Sequence, residues 1–178
     1  MTNTASTPQQ RAGDRYGRTA PGDGEAYWFY GDLAVIRSPE GSIPIVIEHH
    51  VSAGGAAPLH VHHDLDDSFY LLSGRLAIRC GEDTFLARTG DYVVLPRGVP
   101  HTLRVLGDTE AVMLQTHADP SFLTFIRAVG VPASQSRPDF ASMDIPAMNA
   151  IAGETGQPVL GPPMSAEDAT AILAAASR

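Results

Sequence analysis

Three histidines in the chain have the side-chain chemistry and the spacing of metal ligands. His60 and His62 lie two residues apart. On a β-strand their side chains point to the same face, with Cα atoms roughly 6.6 Å apart. Two imidazoles at that separation can bind one ion at about 2.0–2.1 Å. A third imidazole is available at His101, and Asp67 offers a carboxylate at the start of the next apolar run.

This set of donor groups predicts the class of cofactor. Three histidines and one carboxylate suit a single divalent transition-metal ion (Fe, Mn, Ni, Cu, Co or Zn) and leave coordination positions open for a small-molecule substrate. Such an ion lowers the pKa of a bound substrate oxygen as a Lewis acid. The carboxylate of Asp67 either completes the ligand set or removes the substrate's proton as a general base.

The spacing around these residues resembles the paired motifs of the cupin superfamily. The first motif is a glycine, five residues, His-x-His, three or four residues, a glutamate, six residues and a glycine. The second is a glycine, five residues, Pro-x-Gly, two residues, a histidine, three residues and an asparagine. The matching residues are Gly54, His60, His62, Gly74, Gly90, Pro96, Gly98 and His101. The chain departs from the pattern at Asp67, where glutamate is usual, and at Val105, where asparagine is usual.

The resemblance covers roughly residues 27–125 and is greatest to single-domain bacterial cupins that are often likened to quercetin 2,3-dioxygenases. It implies an all-β fold, the cupin jelly-roll or double-stranded β-helix barrel, with the metal ion inside it. It also implies metal ligands at His60, His62 and His101, with Asp67 in the fourth position. Because aspartate is one methylene shorter than glutamate, this carboxylate either reaches the ion or remains free as the general base.

The pattern of apolar residues predicts the elements that position these groups. Short apolar runs between residues 27 and 117, separated by glycine, proline and acidic turns, predict a compact antiparallel sandwich or barrel. Beyond them, apolar residues recur at helical spacing up to Gly130. We predict a flexible N-terminal tail over 1–24, the barrel with its first helix over 25–130, and a Pro/Gly-rich extension with short helices over 131–178. Within the extension, residues 153–164 are interpreted as a linker.

Side chains that share a strand face with a predicted ligand should line the substrate pocket. The residues predicted to line it are Phe69, Leu71, Leu103 and Gln115. The first three have the strand parity of a ligand close to them in the sequence, and the fourth is the one amide in an apolar run. These side chains would shape the pocket and exclude water from it.

Other polar residues near the motifs have less specific interpretations. One of Glu48, His49 and His50 lines the pocket, or all three lie at the surface. His63 has the wrong parity for the His-x-His pair and is interpreted as exposed or adjacent to the ligands. His117 stands close to the predicted helix and is assigned a structural role.

Composition excludes several classes of function. Acidic residues outnumber basic ones 20 to 12, and the formal charge of −8 argues against a nucleic-acid or anionic-membrane surface. All twelve basic residues are arginine, so a Schiff-base lysine and a P-loop lysine are excluded. A single cysteine, Cys80, excludes an internal disulfide, a thiolate zinc finger and a cysteine-ligated iron–sulfur cluster. Together with the absence of a signal-peptide pattern in residues 1–24, this composition favours a cytoplasmic protein.

These observations lead to one main hypothesis and two alternatives. The main hypothesis is a metal-dependent dioxygenase acting on a small aromatic or enolisable substrate. The first alternative is an isomerase, cyclase or decarboxylase that uses the same ion only as a Lewis acid. The second is a small-molecule-binding protein without catalysis. Because barrels of this kind expose sheet edges that can pair, we also expect a homodimer.

Overall fold

The computed structural model describes residues 17–176, which form twelve strands, three α-helices and one short 3₁₀ turn. In chain order these elements are β1 (Ala26–Phe29), β2 (Asp32–Ile36), β3 (Ile45–Val51), β4 (Pro58–His60), β5 (Asp67–Ser73), β6 (Arg75–Cys80), β7 (Asp83–Arg88), β8 (Tyr92–Leu95), β9 (His101–Val105), β10 (Ala111–His117), α1 (Ser121–Val129), β11 (Val131–Pro132), the 3₁₀ turn (Phe140–Ser142), α2 (Ile145–Glu154), β12 (Val159–Pro163) and α3 (Ala166–Ala175).

The strands form two antiparallel sheets that share a core. One sheet has the order β11-β1-β2-β3-β10-β5-β8, and the other has the order β12-β4-β9-β6-β7. Side chains alternate between the core and the outer face, as in β10, where every second residue is buried. Phe69 and Leu71 of one sheet pack with Leu76, Ile78 and Leu103 of the other. The predicted all-β jelly-roll architecture is confirmed.

Helix α1 packs its apolar face on the first strands of the larger sheet. Phe122, Phe125 and Ile126 are buried in a cluster that includes Phe29 of β1. The Phe29 and Phe125 rings meet edge to face, with centroids 5.1 Å apart. The helix ends at Gly130, where an added Cβ would lie only 2.6 Å from the Ile126 carbonyl oxygen. This position therefore requires glycine, because the backbone passes too close to its neighbours to leave room for a side chain.

Replacing Phe125 with aspartate should destabilise the barrel through this helix. The new carboxylate would be buried without a partner, which costs several kcal/mol and should lower the thermal midpoint by roughly 10 °C. Thr124→Asp, on the exposed face of the same helix, is the matched control and should leave the midpoint nearly unchanged. Thermal unfolding followed by circular dichroism measures both; equal midpoints for the two variants would contradict the packing of α1.

The C-terminal extension is built into the barrel. Residues 153–164, interpreted from the sequence as a linker, contain the strand β12, which pairs with β4 and places Val159 opposite His60. Helix α2 extends to Glu154, and α3 begins after Ser165, whose hydroxyl accepts a hydrogen bond from the Asp168 backbone N–H at 3.0 Å. The linker interpretation was wrong for β12 because strand pairing with β4 is a long-range contact that leaves no local sequence signal.

Most of the N-terminal tail predicted over residues 1–24 lies outside the described residues. Within the described part, the Arg37 guanidinium donates hydrogen bonds to the backbone carbonyls of Ala20 and Asp23, and the Thr19 hydroxyl donates to the Arg37 carbonyl. Residues 19–23 therefore contact the end of β2. No helix between residues 17 and 176 has the length and hydropathy that crossing a membrane requires.

Candidate metal centre

Four side chains converge at one end of the barrel: His60, His62, Asp67 and His101. Each contributes one nitrogen or oxygen atom, and these four atoms lie within 4.8 Å of one another. The topology produces this convergence because His60 of β4 and His101 of β9 are directly opposite in the antiparallel ladder. Asp67 enters from the first residue of β5 in the other sheet. The structure thus brings together all four residues that the sequence predicted as ligands.

Hydrogen bonds to the backbone fix the orientation of two of the imidazoles. The His60 Nδ1 atom lies 2.8 Å from the Pro58 carbonyl oxygen, and the His101 Nδ1 atom lies 2.9 Å from that of Val99. In both cases Nδ1 carries the proton and donates to the residue two positions earlier. In the neutral form of either ring the Nε2 atom then has a lone pair available, which is how metal-binding histidines are usually held.

The remaining polar atoms of the cluster fit a divalent ion. His101 Nε2 and Asp67 Oδ1 are buried and have no hydrogen-bond partner among the described residues. His101 Nε2 lies 3.8 Å from Asp67 Oδ2. Two ligands bound at about 2.1 Å to one ion can be at most about 4.2 Å apart, so this pair is close enough to share one. A bound ion would also satisfy buried atoms that otherwise lack a partner.

Burial keeps the histidines in the protonation state that ligation requires. Desolvation, with repulsion from His101 as the next cause, lowers the pKa of His60 to about 4. Desolvation likewise lowers the pKa of His62 to about 3. Both imidazoles are therefore neutral at pH 7. Burial alone would raise the pKa of Asp67, but the surrounding imidazoles outweigh it and the pKa is lowered, so this group is a carboxylate.

These shifts predict that acid destabilises the metal-free protein. Between the ordinary histidine pKa of 6.5 and about 4, the unfolded chain binds protons at His60 and His62 that the folded protein does not bind. The free energy of unfolding therefore falls as the pH falls through this window, and each histidine contributes about 2 kcal/mol between pH 7 and pH 5. Chemical denaturation at both pH values measures the effect. His62→Gln should reduce the loss by about that amount, and an unchanged loss would contradict the assignment.

A fourth imidazole, for which the sequence predicts a structural role, lies beside the cluster. His117 is the last residue of β10 and is fully buried, with neither ring nitrogen hydrogen-bonded within the described part of the chain. Its Nε2 atom lies 4.0 Å from Asp67 Oδ1, and its ring packs on Phe122 with centroids 4.6 Å apart. His117 lies outside both motifs, so the motif spacing does not predict its position next to Asp67. The sequence feature that indicates its inward orientation is its position two residues after Gln115 on the same strand.

A cavity of about 100 Å³ adjoins the candidate ligands. His60, His62 and Asp67 line it, together with residues of both sheets, α1, α2 and β12. Of the predicted pocket residues, Leu103 and Gln115 are in its wall. Phe69 and Leu71 are not: both are completely buried in the core between the sheets. Their strand parity correctly predicted that both side chains point inward. They follow Asp67 along β5, however, and there the surrounding core side chains fill the space.

The C-terminal extension closes one side of this cavity. Its wall includes Ala152 of α2, Gln157 of the following loop, and Val159 of β12. Ala152 and Gln157 are buried. Of the three candidates at 48–50, His49 lines the cavity. Glu48 instead pairs with Arg37 and His50 outside it. Alternation along β3 explains this result, because His49 shares the inward face of Ile47 and Val51.

The two-sheet barrel with a candidate three-histidine, one-aspartate centre at one end defines a class of protein. Residues 47–117 match the family described as Cupin domain. This match identifies residues 47–117 as a cupin domain and supports the resemblance to the cupin superfamily that the motif spacing indicates.

One curated relative and two solved structures are informative. The chain is 33% identical over 87 residues to quercetin 2,3-dioxygenase of Bacillus subtilis (strain 168); the match covers 47% of this chain and 26% of that protein. It thus spans about a quarter of that relative's length. KdgF from Halomonas sp. matches with a TM-score of 0.51 at 14% identity, covering 60% of this chain and 96% of that one. The polyketide cyclase RemF from Streptomyces resistomycificus matches with a TM-score of 0.50 at 21% identity, covering 58% and 78%. These two likenesses concern the fold.

Proposed function

We propose that the protein is a metal-dependent dioxygenase that acts on a small aromatic or enolisable substrate. The observation that carries this proposal is the convergence of three histidines and one aspartate beside a mostly apolar cavity, whose wall includes His60, His62 and Asp67. The resemblance over 87 residues to a protein named quercetin 2,3-dioxygenase supports the oxygenase class.

The proposal assigns distinct roles to the residues of the centre. His60, His62 and His101 would hold one divalent first-row transition-metal ion, and Asp67 would be either the fourth ligand or the general base. Such an ion, when bound, supplies Lewis acidity to a substrate oxygen and activation of dioxygen, the oxidant whose atoms enter the product. Asp67, as a carboxylate in the cavity wall, is placed to take a proton from the substrate.

The cavity wall determines what kind of substrate can reach the centre. Phe29, Leu103, Met113 and Phe122 provide apolar surface and exclude water from the space beside the ligands. The volume of about 100 Å³ is below the 300–1,000 Å³ typical of pockets for drug-sized ligands. The proposed substrate is therefore no larger than a single substituted ring, and larger compounds would require displacement of the C-terminal extension.

A non-redox metal enzyme, such as an isomerase, cyclase or decarboxylase, is the second candidate. The observation in its favour is Asp67 itself, because a carboxylate shorter than the usual glutamate, facing the cavity, suits proton transfer without oxygen chemistry. The same ion would then serve only as a Lewis acid.

Elemental analysis followed by oxygen measurements tests the proposal. The purified protein should contain about one first-row transition-metal ion per chain. With small phenols and enols as substrates, a dioxygenase should consume one molecule of dioxygen per molecule of substrate and incorporate ¹⁸O from ¹⁸O₂ into product. Turnover under nitrogen at the aerobic rate would favour the non-redox enzyme. Metal binding without turnover in either atmosphere would favour a small-molecule-binding protein.

A further inference from the structure

A hydrogen-bond acceptor that is not one of the candidate ligands lies in the cavity wall. His49 is in the inward-facing row of β3, and its Nε2 atom is buried with no hydrogen-bond partner among residues 17–176. Buried polar atoms are rarely left unpaired unless they have a functional partner. Because His49 is in the cavity wall, a molecule bound in the cavity lies beside this residue and is the candidate for the missing partner.

The neighbouring strand fixes which kind of partner His49 needs. Its Nδ1 atom lies 3.0 Å from Gln115 Oε1, on the adjacent strand β10. A carbonyl oxygen only accepts hydrogen bonds, so Nδ1 carries the proton and donates it. Desolvation also lowers the pKa of His49, which keeps the ring neutral at pH 7. The Nε2 atom therefore presents a lone pair and requires a donor.

Three other polar side chains in the cavity wall form hydrogen bonds with partners other than His49 Nε2. The Tyr30 hydroxyl donates to Asn149 Oδ1 at 2.8 Å. The Gln157 amide donates to the Thr155 backbone carbonyl at 3.2 Å. Asp32 has only acceptor oxygens when ionised, and its Oδ1 accepts from the Ser52 backbone N–H at 2.9 Å.

We propose that His49 Nε2 accepts a hydrogen bond from a hydroxyl group of the substrate and so determines specificity. The substrate class is then a small ring compound with two oxygen functions that do not chelate one ion together. One oxygen faces His60, His62 and Asp67, and the other is a hydroxyl that donates to His49. Only the assignment of the first oxygen rests on the proposed metal-dependent function; the contact with His49 does not require the ion.

Pairs of probes that differ by one hydroxyl test this proposal. Hydroquinone and p-cresol, and resorcinol and m-cresol, are nearly equal in size, but in each pair the cresol replaces the second hydroxyl with a methyl group. Binding is measured by calorimetry under nitrogen, with metal-loaded and with metal-free protein. In both forms, the wild type should bind at least one diol about tenfold more tightly than its cresol, the usual value of one hydrogen bond.

Substitutions at His49 should abolish this preference. Both His49→Leu and His49→Phe remove the acceptor; leucine is smaller than histidine, whereas phenylalanine keeps an aromatic ring. Each variant should bind the diol and its cresol with affinities within twofold of one another. His50→Leu is the matched control, because His50 lies on the outer face of β3 next to Glu48, and it should keep the preference. Thermal unfolding confirms that each variant is folded.

The possible outcomes separate this inference from the proposed function. Equal binding of diol and cresol by the wild type would overturn the role of His49, as would a preference that survives in a folded His49 variant. A protein that binds no metal but retains the His49-dependent preference would overturn the metal-dependent function and support this inference.

Discussion

Replacing His60 or His101 with alanine should weaken metal binding by at least 100-fold. Each substitution removes one of three imidazoles, and substitution of residues that merely support metal ligands commonly costs 10- to 100-fold in affinity. The barrel should remain folded, because each variant loses polar atoms at one end while the core between the sheets is unchanged. Metal per chain, measured after dialysis, should fall from about one to near zero.

His63→Ala is the matched control for these variants. His63 follows His62 directly but is exposed, so its removal should leave metal content at the wild-type level. Circular dichroism on all three variants separates loss of ligation from loss of fold. A folded His60→Ala or His101→Ala protein that retained one ion per chain would show that the ion binds elsewhere.

Substitutions of Asp67 should have the second large effect and should decide what this residue does. If the carboxylate is a ligand, Asp67→Asn should lose both metal and turnover. If it is the general base, Asp67→Asn should keep the metal and lose about 10²–10⁴-fold in turnover, the usual contribution of such a base. We expect loss of metal for two reasons. Asp67 Oδ2 lies 3.8 Å from His101 Nε2, close enough for both atoms to bind one ion. The spacing of the surrounding motif is also intact.

Asp67→Glu restores the residue that is usual at this position of the motif. A ligand role predicts that glutamate holds the metal at least as well as aspartate. A role in which the short side chain makes room for substrate predicts retained metal with reduced turnover. Asp66→Asn is the control, because Asp66 is an exposed neighbour that pairs with Arg97. Full activity in Asp67→Asn would exclude both roles.

The sequence was sufficient to predict the four candidate ligands because their positions depend on short, local rules. Side chains two residues apart in an extended segment point the same way, which predicted that His60 and His62 lie together, although β4 itself ends at His60. The proline- and glycine-containing turn at residues 96–100 fixes where the next strand begins, which places His101 at a strand start, and Asp67 begins the apolar run of β5. For the same reason the short apolar runs predicted the all-β fold, and helical spacing predicted α1.

Tertiary structure alone decided the composition of the cavity and of the cluster's surroundings. Strand parity assigned Phe69 and Leu71 to the inner face correctly, but depth along the strand determined that they pack in the core and not around the cavity. His117 and His49 reach the interior from strands outside the two motifs, and β12 pairs with β4 across about 100 residues. Parity and turn chemistry are local properties of the chain. Which side chains meet in three dimensions depends instead on packing between distant strands. That packing determines which residues surround Asp67 and how large the cavity beside it is.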